Sequence, residues 1–143
     1  MRLHSRIGAL VTAAAGCIPV PAAAEIVRGK AVYDAHCAAC HGAELEGAPD
    51  WKSPGPDGRL PPPPHDETGH TWHHGDAFLF DYVRRGGQPV LDDLGVDMTS
   101  GMPGFGDILT DAEISAVLAY IRSTWPERIQ EIQAERTARE EAD

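Results

Sequence analysis

The stretch from Gly42 to Gly75 limits what this chain can fold into more than any other part of it. Proline stands at 49, 54 and 56 and in succession from Pro61 to Pro64, and glycine, aspartate and histidine fill much of the remainder. Proline removes a backbone donor and blocks a helix interior, and no alternation of apolar and polar residues suggests a strand. An irregular segment of this length is uncommon in a compact domain unless it wraps something or is itself functional. Regular structure must therefore come from the segments on either side.

Both flanks read as helical. Ile26 to Ala35 has Ile26, Lys30 and Tyr33 at helical spacing, with Ala31 and Val32 between them. Asp76 to Arg85 carries Phe78, Leu79, Tyr82 and Val83 as an apolar stripe, and Gly86-Gly87 supplies a stop. Residues 88–109 read as a second loop, with Met98, Gly101, Met102, Pro103, Gly104 and Gly106. The clearest helix begins after Thr110. Glu113 completes a capping box there, and Ile114, Val117, Leu118 and Ile121 recur along one face. Beyond Pro126 the chain is charged and poor in apolar residues, which predicts an exposed helical or fraying tail over 127–143. The expected class is all-α, with about three to five helices and long loops.

The first helix leads into Cys37-Ala38-Ala39-Cys40-His41. Cys-x-x-Cys-His is the pattern of covalent haem attachment. The two thiols add across vinyl groups on neighbouring pyrroles, so the sulfurs must lie a short, fixed distance apart on a bent chain. The His directly after the second Cys is then held under the iron as its proximal ligand. A disulfide between Cys37 and Cys40 would close a small, strained loop. A thioredoxin-like pair wants a βαβ setting. A zinc site wants a second ligand pair, for which only the loop histidines offer donors. Haem attachment is favoured, and a haem gives the long loop something to wrap. For the distal position Met98 and Met102 compete. Gly101 lets the backbone approach closely, Pro103 stiffens the loop and the capped helix anchors it, so Met102 is favoured and Met98 reads as packing. A His ligand or an open site is the remaining alternative.

The run from Ala31 to His41, the segment Met102-Pro103-Gly104-Phe105-Gly106 and the helix from Asp111-Ala112-Glu113-Ile114 to Tyr120-Ile121-Arg122 together resemble the class I (mitochondrial-type) c-type cytochromes. The likeness covers most of 26–126 and implies a cytochrome c domain over 25–126. It further implies crossed N- and C-terminal helices, one covalently bound haem c, and axial ligation by His41 and Met102. The function it implies is a single-electron carrier, not an enzyme, serving redox partners such as an oxidase, reductase or dehydrogenase. It also implies that a proline carbonyl accepts a hydrogen bond from the other nitrogen of His41, with Pro56 and Pro61 to Pro64 as candidates.

The segment from His65 to His74 holds four histidines and two acids, dense enough to bind Cu(II) or Zn(II). The plainer expectation is that Trp72 and one neighbouring His donate hydrogen bonds to haem propionates. Tyr33, Tyr82, Tyr120 and Trp125 read as core, and Phe78 and Phe105 as lining of a haem crevice.

Arg2 and Arg6, the apolar Ala-rich run from Ile7 to Val20 and Ala22-Ala23-Ala24 together read as a secretory signal peptide over 1–24. The run is too short, and too broken by Pro19 and Pro21, to span a bilayer. Cleavage would release a periplasmic chain beginning at Glu25. A second reading takes Ala14-Ala15-Gly16-Cys17 as a loose lipoprotein signal, with a lipid anchor on Cys17 and peripheral membrane contact. The net charge is −10, and losing Arg2 and Arg6 makes it more negative. That balance argues against nucleic acid and favours a partner with a basic docking patch.

Overall fold

The computed structural model describes residues 22–142; Cys17 and nearly all of the expected leader lie outside this span. The described residues form six α-helices and no strand beyond one isolated bridge between Arg59 and Thr99, in agreement with the all-α expectation. No described helix is long and apolar enough to cross a membrane.

The frame is a crossing of α1 (Ala22–His36) and α5 (Asp111–Ser123), the most extensive helix contact among the described residues. One core cluster joins Val32 and Tyr33 of α1 with Ile114, Val117, Leu118 and Ile121 of α5. Each such side chain contributes about 1.5–3 kcal/mol through apolar burial. The buried side of α1 is Gly29, Val32 and Tyr33. Lys30 instead faces solvent and donates to Asp34 one turn on, at 2.7 Å, because its ammonium keeps water and a carboxylate within reach. Gly29 is what lets the helices meet: a Cβ there would fall 2.6 Å from the carbonyl carbon of Ala116 and 2.8 Å from Cβ of Tyr120.

The capping box forms as the sequence suggests. Thr110 Oγ1 accepts from Glu113 N at 3.3 Å, and Glu113 Oε2 accepts from Thr110 N at 2.9 Å. The Thr110 hydroxyl also donates to Glu113 Oε2 at 2.7 Å, and this bond, with the one from Thr110 N, holds the Glu113 carboxyl below its ordinary pKa, the Arg28 guanidinium adding to the effect.

Helix α2 (Ala38–His41) is a single turn that ends at Gly42, whose φ of +83° suits glycine. Helix α3 spans Asp76–Arg85, as the apolar stripe predicts. Residues 88–109 are not all loop: Gly87–Asp93 form α4, which buries Val90 and Leu91. Pro89 hides this helix in the sequence, yet it sits in the first turn, where the missing N–H has no helical partner to lose.

The C-terminal segment differs most from expectation. It forms α6 (Glu127–Glu140), and it is docked rather than frayed. Ile129 is 4% exposed and Gln133 only 1%. The helix lies against α3 and a 3-10 turn at Thr71–His73. Just before it, Trp125 is buried and donates from Nε1 to His65 O at 2.7 Å, tying the end of α5 to the long loop.

Candidate functional site

The long loop is ordered by its own backbone. Ala48 N donates to Pro62 O at 2.9 Å and His65 N to Leu45 O at 2.8 Å, so the proline run lies beside residues 45–48. Two glycines make room for it. A Cβ on Gly47 would fall 2.6 Å from the Pro63 carbonyl carbon, and one on Gly69 would fall 2.6 Å from that of Pro64. Gly47 also has a φ of +67°. The Pro63 carbonyl is thereby aimed at His41, whose Nδ1 donates to it at 2.8 Å. Among the proline candidates the acceptor is Pro63.

That bond fixes the chemistry of His41. A carbonyl only accepts, so the proton sits on Nδ1 and the lone pair on Nε2. Burial pushes the imidazole pKa below its ordinary value, partly offset by the Pro63 bond, so the ring is neutral near pH 7. His41 is 7% exposed, and its ring stacks on His65 with centroids 4.0 Å apart. His65 is anchored in turn through Nδ1 and Thr71 Oγ1 at 2.7 Å, and burial drives its own pKa well down. His65 thus backs the imidazole. Its one signal in the sequence is its place directly after the proline run, which gives no hint that it meets His41.

Around His41 the motif is one tight turn. Cys40 N and His41 N both donate to Cys37 O, at 3.1 and 2.9 Å, and the Tyr33 hydroxyl donates to Gly42 O at 2.9 Å. Burial raises the Tyr33 pKa, so it stays a neutral donor. Cys37 and Cys40 are free thiols, the first half-buried and the second exposed. Burial, with the neighbouring Cys40 adding, pushes the Cys37 thiol up to about 11.

Met102 is half-buried, in a loop strapped to α3. Gly87 N donates to Met102 O at 3.0 Å, Phe105 N to Val83 O at 2.9 Å, and Gly106 N to Arg84 O at 2.9 Å. The backbones nearly touch: a Cβ on Gly86 would lie 2.6 Å from Gly104 N. Met98, by contrast, is 37% exposed. Leu79, Phe80, Val83 and Phe105, all partly buried, pack against the core, as Cys37 does, although protein atoms fully cover no residue of α3. A neutral imidazole with Nε2 free, two thiols on one turn, a thioether and partly covered apolar side chains are the donor set and lining that suit a haem.

Phe78 is half-buried and stacks on His74, with centroids 4.2 Å apart. Other expectations need correcting. Tyr82 is only half-buried, its hydroxyl 3.3 Å from Ser100 Oγ. Trp72 spends its N–H within the loop, donating to Glu67 O at 3.1 Å, so it is not free for a propionate. The rings of His70 and His73 stack at 4.9 Å, and His74 meets His70 edge-on at 4.9 Å. No three His, Cys, Asp or Glu side chains among the described residues are arranged to hold a metal ion. The imidazoles spend their faces on each other, on Trp72 and on Phe78, and their nitrogens do not converge.

A family model described as Cytochrome c matches residues 26–125. No curated protein and no solved structure matches the chain.

Proposed function

The chain belongs to the cytochrome c family, whose members carry electrons on a covalently bound haem and are not enzymes, and from that premise we propose a monohaem carrier with His41 and Met102 as axial ligands. The hydrogen bond from His41 Nδ1 to Pro63 O carries this reading. It commits one nitrogen to the protein, leaves Nε2 as the ligand atom and raises the basicity of the ring. Cys37 and Cys40, on the same turn, are the thioether positions. Apart from these two the chain has only Cys17, so it lacks the thiols for a second attachment of this kind.

When bound, the haem supplies a one-electron iron couple. His41 holds its ring in one tautomer and one orientation, and the strapped loop holds Met102, whose soft thioether favours the reduced metal and raises the potential. Leu79, Val83 and Phe105, partly buried at the core, would supply apolar surface to exclude water from the haem. The partners are redox proteins, and the net charge of −10 favours a basic docking patch on them. The carrier is periplasmic after removal of residues 1–24, with lipidation of Cys17 as the alternative.

An absorption spectrum tests the ligand assignment, on protein made in cells that attach haem c. The oxidised wild type should show the weak red band of Met-ligated iron, and Met102→Ala should lack it. Attached haem without that band in the wild type would remove Met102 as the ligand.

A further inference from the structure

The family match stops at residue 125, and α6 begins at Glu127. This added helix reaches back to the first turn of α3. The N-cap of α3 is Gly75, which has no side chain to offer. Its exposed donors are taken by α6 instead. Gly75 N and Ala77 N donate to the two carboxylate oxygens of Glu140, at 3.0 and 3.2 Å, and Asp76 N donates to Thr137 Oγ1 at 3.1 Å. Gln133 donates from Nε2 to Asp76 Oδ1 at 2.8 Å. Arg122 of α5 pairs with the same Asp76 carboxylate. A carboxylate at a helix N-terminus is favoured by the aligned peptide dipoles as well as by the bonds it accepts.

The other end of α3 carries the Met102 loop, through the carbonyls of Val83 and Arg84 and the close contact of Gly86 with Gly104. Between its ends α3 lies against α5 and packs the half-buried Leu79, Phe80 and Val83 on the core, but it has no fully buried residue, and a helix of this length is marginal by itself. The bonds at its two ends therefore add to what holds it in position. We propose that α6 is a built-in brace: Gln133, Thr137 and Glu140 are positioning residues that act through α3 to keep Met102 at its ligand position. The inference rests on the Met102 reading above. It adds a reason for the extension beyond the family domain.

The brace is tested on holoprotein by letting imidazole compete with Met102 for the oxidised iron. Thr137→Val/Glu140→Ala removes the acceptors from the surface of α6, and Gln133→Ala removes the buried link separately, in case either variant folds poorly. Far-UV circular dichroism checks that the helices persist. Apparent imidazole affinity should rise roughly ten-fold in the variants, the factor that 1.4 kcal/mol represents, with an earlier loss of the red band on raising pH. Helix content like wild type with imidazole affinity within two-fold of it would overturn the brace. Met102→Ala sets the upper limit of affinity. If the wild type already binds imidazole as tightly as that variant, the Met102 assignment itself is wrong and the brace falls with it.

Discussion

Gly29→Ala sets two physical effects against each other, and the structure decides which wins. In an exposed helix interior the change would stabilise the protein by about 1 kcal/mol, because alanine is the better helix former. Here the new methyl would lie 2.6 Å from the Ala116 carbonyl carbon and 2.8 Å from Tyr120 Cβ. Carbon atoms rest about 3.5–4.0 Å apart, so α1 and α5 must separate by about 1 Å. A gap of that size forfeits roughly a quarter to a half of each affected contact. Strain in a well-packed contact costs about 1–3 kcal/mol in its own right. The buried Val32 and Tyr33, on the same side of α1, lose part of their packing too. After subtracting the propensity gain, the net loss is about 2 kcal/mol, or about 8 °C in Tm for a chain of this size. Urea and thermal unfolding of the holoprotein measure it. A Gly29→Ala protein as stable as wild type or more so would show that the helices do not cross at Gly29, and the reasoning would fail.

Two further outcomes are expected. Thr110→Ala should cost about 1 kcal/mol of stability by opening the capping box of α5, checked by the same urea titration; no loss would mean the cap is frayed in solution. His74 is pushed down to about 4 by burial, then by His70, His73 and Arg136. Between about 6.5 and about 4 the unfolded chain therefore holds the proton and the folded one does not, so stability falls as pH drops through that window. Unfolding series at several pH values should show a shallower dependence for His74→Gln than for wild type, and equal slopes would contradict the assignment.

The parts legible in the sequence were those with local causes. The stripe and Gly86 bounded α3, Thr110 and Glu113 announced α5, and the Cys-x-x-Cys-His spacing marked the attachment turn. The missed features depend on contacts between distant residues. The acceptor at Pro63 is chosen by glycines at 47 and 69, and His65 meets His41 only after the loop folds back. The tail resembles solvent-exposed helix because its contacts with α3 are polar: Gln133, Thr137 and Glu140 carry no hydrophobic pattern. Pro89 concealed α4 by looking like a breaker.

The acceptor for His41 is a backbone atom, and this has a genetic consequence. Replacing residue 63 with another amino acid leaves a carbonyl where it was, provided the chain keeps its path. An alanine scan of the histidine's surroundings would therefore pass over this bond and report the proline run as tolerant. Sensitivity would surface at Gly47 and Gly69, which leave space for the Pro63–Pro64 backbone, and at Gly47 also because its left-handed backbone lets its N–H donate to His41 O at 2.7 Å. Substitutions there would look like loop damage in a stability screen and like a change in iron chemistry in a spectrum.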